Sequence, residues 1–170
     1  MKAKHMILSG LGVFVLWLFF WPSEKDHLNA QMAELCKKDG GVKIYETVKL
    51  PAEMFDQFGQ PKFEKNNVLK MPKNMQAHRL GSSYTYIIET TVLKEGDPWK
   101  NQGYLSKDQF RIQRNVDKKI MAEEIQYYRS GGDRWYPGHP SASSCPLGAG
   151  NITEKVFIKD SNFNLQGLAK

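Results

Sequence analysis

The chain has 170 residues, 41% hydrophobic and 12% aromatic, with 24 basic and 18 acidic side chains for a net charge of +6. This composition excludes a disordered polar tail. Taking away Lys2 and Lys4 leaves about +4 on the rest, too mild to argue for a nucleic-acid partner.

Met6 to Trp21 (MILSGLGVFVLWLFFW) carries no charge over sixteen residues. As a helix it would cover roughly 24 Å, short of the roughly 30 Å hydrocarbon core. Lys4 could snorkel at one end and Trp17 and Trp21 suit the interface at the other. Lys2 and Lys4 precede the run and Glu24, Lys25 and Asp26 follow it, so the positive-inside rule predicts a cytoplasmic N-terminus and an exported body. A cleaved signal peptide competes with this reading. Against it, Leu18-Phe19-Phe20-Trp21-Pro22 occupies the place where small residues are wanted, and Ala33-Glu34-Leu35 before Cys36 is no lipidation signal. The expected organisation is a cytoplasmic tip and signal anchor over 1–22, a juxtamembrane helix over 23–41 and one exported domain over 42–170.

Ser23 with Asp26 forms a capping pattern, Leu28, Met32 and Leu35 recur at helical spacing, and Gly40-Gly41 ends the run. Val42 to Leu50 alternates and predicts a first strand. Ala52 to Phe58 predicts a short helical turn with Met54, Phe55 and Phe58 as its apolar patch. Gln60 to Arg79 has no clear period. Its Lys62, Lys65, Lys70, Lys73 and Arg79 face one acid, Glu64, and form either a solvated loop or a basic surface for anionic headgroups or an acidic partner.

Tyr84 to Leu93 is the strongest strand and is expected at a central position. Gln109 to Val116 and Lys119 to Arg129 predict a hairpin turning at Asp117-Lys118. Met121, Ile125 and Tyr128 also fit a helix, so the second arm stays open between strand and helix. Gly131 to Gly150 is a long Gly/Pro/Ser-rich loop, and Lys155 to Lys159 predicts a last strand before a polar tail.

Cys36 and Cys145, the only cysteines, both fall on the expected exported side and are most simply one disulfide. It would join the juxtamembrane helix to the long loop, closing about 110 residues.

That loop holds the one varied cluster of functional groups: Asp133, Arg134, Trp135, Tyr136 and His139, with Ser141. The aromatics suit stacking, Arg134 a carboxylate and His139 a proton. Pro137, Gly138 and Pro140 read equally well as a forced turn, with the aromatics covering the sheet edge and Asp133 capping backbone amides. A Ser141/His139/Asp133 triad lacks a nucleophile elbow. His5, His27, His78 and His139 show no metal-ligand spacing, and no phosphate loop occurs, so no catalytic residue, metal or cofactor is expected. Asn151-Ile152-Thr153 matches a glycosylation sequon, relevant only in a eukaryotic secretory route.

The segments CKKDGGVKIYETVKLP (Cys36 to Pro51) and YYRSGGDRWYPGHPSASSCP (Tyr127 to Pro146) resemble short, N-terminally anchored bacterial envelope proteins of unknown function. The resemblance covers most of the exported body and implies the bacterial envelope, with no activity to carry over.

The expected fold is α+β: an N-terminal transmembrane helix, a short helix, then an antiparallel sheet of four to six strands with a long disulfide-pinned loop. The expected role is a single-pass inner-membrane protein, held through residues 6–21, whose periplasmic domain binds another envelope protein. The rivals are a tethered enzyme acting on cell-wall or lipid substrates and a lipid-contacting structural domain.

Overall fold

Helix α1 spans Glu24–Asp39 in the computed structural model, which describes residues 22–63, 68–69, 71–134, 138–147 and 151–160. The capping pair read from the sequence forms. The Ser23 hydroxyl oxygen accepts from the Asp26 N–H, and the Asp26 carboxylate accepts from the Ser23 N–H at 2.8 Å, an arrangement worth about 1 kcal/mol. At the other end the Gly40 N–H donates to the Cys36 carbonyl. Among the described residues no helix is long and apolar enough to cross a membrane; the Met6–Trp21 run lies outside them.

The strands are β1 (Gly41–Ile44), β2 (Val48–Leu50), β3 (Val68–Leu69), β4 (Met75–Leu80), β5 (Tyr84–Lys94), β6 (Tyr104–Arg114), β7 (Ile120–Ser130), β8 (Ala142–Cys145) and β9 (Phe157–Lys159). An antiparallel sheet six strands wide runs β1-β7-β6-β5-β4-β3, and β8 continues along β7 beyond β1. The α+β class is therefore as expected. The strand predicted at a central position is interior, between β4 and β6. The open choice over 119–129 resolves as strand: β6 and β7, eleven residues each, form a hairpin, and Lys118 takes a positive φ of 58° in its turn.

Several boundaries differ from the sequence reading. Val42 to Leu50 is two strands in two sheets. Met121 bulges from β7, and its carbonyl accepts from both Tyr45 and Glu46, at 2.8 and 3.0 Å, which carries the chain away from β7. Strand β2 then pairs parallel with β9 as a separate two-stranded sheet. The helical turn shrinks to a 3₁₀ turn over Ala52–Met54, because Phe55 pairs with Pro61 and is buried while Phe58 is exposed. The stretch without a period contains β4, whose Met-Gln-Ala-His-Arg-Leu sequence has weak strand propensity and is held by pairing with β5. The long loop contains β8. The last predicted strand begins as helix α2 (Ile152–Val156), capped by Asn151, with only Phe157–Lys159 extended.

Two cores lie on opposite faces of the sheet. On one, Leu28, Met32 and Cys36 of α1 pack on Leu105, Ile125 and Tyr127. The other joins Ile112, Met121 and Ala122 to Ile152, Val156 and Phe157, with Phe63 and Tyr84 each edge-on to the Phe157 ring. Each fully buried Leu, Ile, Val, Met or Phe among them contributes roughly 1.5–3 kcal/mol. The Leu28/Met32 stripe is core, as its spacing implied.

Candidate functional site

The Cys36–Cys145 disulfide forms, joining α1 to β8 across 109 residues of sequence. It pins the end of the 131–145 segment, and polar contacts pin its beginning. Gly131 and Gly132 take φ of +73° and +75°, conformations open to glycine. This lets the Gly132 carbonyl accept from the Lys25 N–H at 2.9 Å. A Cβ on Gly131 would stand 2.4 Å from the Gln102 carbonyl oxygen, so the segment also needs glycine for close approach.

Beneath this turn lies Arg129, 2% exposed, a residue the sequence reading passed over. Its Nη1 donates to the carbonyls of Gly131 and Ser141, both at 3.0 Å, and to Ser141 Oγ at 2.8 Å. The Ser141 hydroxyl in turn donates to Asp133 Oδ1 at 2.7 Å, and the Ser141 amide donates to Asp133 Oδ2 at 2.9 Å. Lys25 Nζ reaches Asp133 Oδ1 at 3.1 Å. Burial pushes the Asp133 carboxyl up, but the Ser141 hydroxyl and amide and the Lys25 ammonium outweigh it and hold the group below its ordinary value. Asp133 is thus a carboxylate whose oxygens are engaged inside the fold. A basic residue ending an otherwise apolar-facing alternation of Ile125 and Tyr127 is the signal that could have exposed Arg129.

This arrangement does not make a nucleophilic triad. The Ser141 hydroxyl bridges Arg129 and Asp133, while the exposed His139 lies edge-on to Trp99 with ring centroids 5.5 Å apart. Arg134 is exposed; Trp135 and Tyr136 fall outside the described residues. The structure therefore places Asp133 inside the scaffold and His139 and Arg134 on its surface, where Trp99, 64% exposed, joins them as a residue the sequence reading did not single out. Among the described residues no three His, Cys, Asp or Glu side chains converge to hold a metal ion.

A second site lies at the other end of the sheet. Two adjoining hollows of about 230 and 270 Å³ share Leu80 and Tyr86 and take in Pro61, Phe63, His78 and Arg79. Burial first, and then the Glu124 carboxylate, push the Tyr86 hydroxyl up to about 12, so it stays protonated in the wall of this groove. Of the predicted basic stretch, Lys62 and Arg79 are exposed here, Lys73 is exposed at the other end of β4 beside Thr90, and Lys65 and Lys70 fall outside the described residues.

Strand β5 measures the separation. Tyr84 pairs with Leu80 of the groove, and ten residues on Lys94 pairs with Glu24 at the start of α1, roughly 33 Å away at a strand's rise per residue. The groove and the Asp133–Lys25 contact therefore lie at opposite ends of this strand.

No family model, curated protein or solved structure matches the chain.

Proposed function

We propose that this is a single-pass inner-membrane protein of the bacterial envelope whose periplasmic domain binds another envelope protein as an accessory factor, without catalysis. One observation carries the reading: the chemistry-bearing loop uses its Ser141 and Asp133 to hold Arg129 and Lys25, bracing the body against the helix that follows the Met6–Trp21 run. A domain held at one end by an anchor offers its far end to partners. The far end carries the Phe63/Leu80/Tyr86 groove with Lys62, His78 and Arg79 around it, fitted to a protein segment that presents an apolar side chain beside an acidic one. The Asp133–His139 segment then serves the anchored end, and the groove takes first rank as the protein-binding surface.

A photo-crosslinking residue placed at Arg79 in cells tests this. A discrete adduct with one envelope protein, abolished by Leu80→Asp, is the expected result. Adducts from His139 with none from Arg79 would return the binding surface to the loop. Recovery of the chain in the cytosolic fraction would remove the anchor reading itself.

A further inference from the structure

From the position of Trp99 in the Pro98–Lys100 turn, beside the start of α1, we infer that the Trp99–His139 corner of the domain rests in the bilayer interface. The inference builds on the anchor reading above and adds an attitude and a lipid contact to it.

Only Pro22 and Ser23 separate the uncharged run from the first residue of α1. The first turn of α1 is clamped to the body. Lys25 N–H bonds Gly132, Glu24 accepts from the Gly103 N–H at 3.0 Å and pairs with Lys94, and Lys25 pairs with Asp133. With so short and so fixed a connection, the end of the body that meets the membrane is set by the fold. The Pro98–Lys100 turn lies at that end. A Cβ on Gly131 would stand 2.8 Å from Pro98 Cα, and one on Gly132 would stand 3.0 Å from Lys25 N.

Trp99 projects from this turn with most of its surface open, beside His139. An exposed tryptophan beside a polar ring is the chemistry of the lipid headgroup zone, where an amphipathic aromatic is more stable than in water or hydrocarbon. Charge selects among lipids. Glu24, Asp26, Glu95, Asp97 and Asp133 stand around the corner with Lys25, Lys94, Lys100 and Arg134, and Lys25 pairs with Asp133, Lys94 with Glu24 and Lys100 with Asp97. The corner is not a cationic patch, so aromatic insertion drives the contact and anionic lipid content should matter little.

The test uses the full chain in vesicles of phosphatidylethanolamine with 5% or 30% phosphatidylglycerol (about the range over which a polybasic contact would respond). A nitroxide on Lys100→Cys is compared with one on Val116→Cys in the distal β6–β7 turn, where Val116 is 88% exposed. Collisions with oxygen, which favours lipid, and with a water-soluble nickel chelate report depth. The expected result is a severalfold higher oxygen-to-nickel ratio at position 100 than at 116, equal in both lipid mixtures and lost on adding Trp99→Ala. Equal ratios at the two positions in chains that resist alkaline extraction would overturn the lipid contact while leaving the anchor. Shielding of position 100 only in native membranes would overturn it in favour of a protein. Alkaline release of the chain would defeat the anchor reading and this inference together.

Discussion

Arg129 and Ser141 are joined by a 2.8 Å hydrogen bond from guanidinium to hydroxyl, and the same hydroxyl donates to Asp133 at 2.7 Å. A buried cation therefore reaches its carboxylate through a serine. Removing the cation takes a donor from the Gly131 carbonyl and leaves the Ser141 carbonyl with the Gly131 N–H, in a buried site. Arg129→Met should cost about 3 kcal/mol, with Ser141→Ala costing about half as much. Chemical denaturation of the detergent-solubilised chain measures both, and a change below 1 kcal/mol for Arg129→Met would show the network to be dispensable.

The disulfide closes a loop whose ends are 109 residues apart, for which chain entropy sets an upper value of about 4–5 kcal/mol. Cys36→Ala with Cys145→Ala should lower the denaturation midpoint and increase protease cleavage after Arg134, since β8 then holds to β7 by backbone pairing and the Arg129–Ser141 bonds, without the link to α1. Unchanged cleavage would mean that the polar network holds the segment unaided.

Asp39 lies below its ordinary 3.8, first through the hydrogen bond from Lys107 at 2.8 Å and then through that from the Tyr127 hydroxyl at 2.7 Å. A carboxylate depressed in the fold contributes stability that is complete above 3.8 and is lost as pH falls through its lower folded value. Thermal midpoints should drop below pH 4, and Asp39→Asn should flatten that acid limb while lowering the plateau at neutral pH. Parallel curves for the two chains would assign the acid loss to other groups.

Glu124 sits 4% exposed opposite Val42 and Phe110, and burial raises its carboxyl above 4.5, with Lys155 opposing the shift. A raised carboxyl costs stability as pH climbs through its unfolded value. Glu124→Gln should therefore stabilise the domain at pH 7 and leave it unchanged near pH 4, and a loss of stability at pH 7 would show the carboxylate to be usefully paired.

Gly131→Ala should be severe, because it combines a φ of +73° with a Cβ 2.4 Å from a backbone oxygen. About 2–4 kcal/mol is expected from strain and displacement, enough to release the turn from α1. A hydrogen-exchange comparison at Lys25 would show faster exchange of the amide that bonds Gly132.

The amino-acid pattern alone determined what depends on neighbours in sequence. Ser23 and Asp26 cap α1 because a capping box is a four-residue event. The Tyr84, Gln109 and Lys119 stretches are strands because their alternation meets one buried sheet, and the two cysteines pair because no others exist. Tertiary structure decided the rest. Strand β4 exists because β5 offers a partner, Val42 to Leu50 breaks because a bulge in β7 captures two amides, and β8 lies within what reads as loop. The loop cluster separated in the same way. Asp133 turned inward because Ser141 and Lys25 converge on it from two distant places in the chain, while His139 met Trp99 from a turn forty residues earlier. Local pattern fixes which face of an element is apolar; only packing decides which polar groups are spent holding the fold and which remain for a partner.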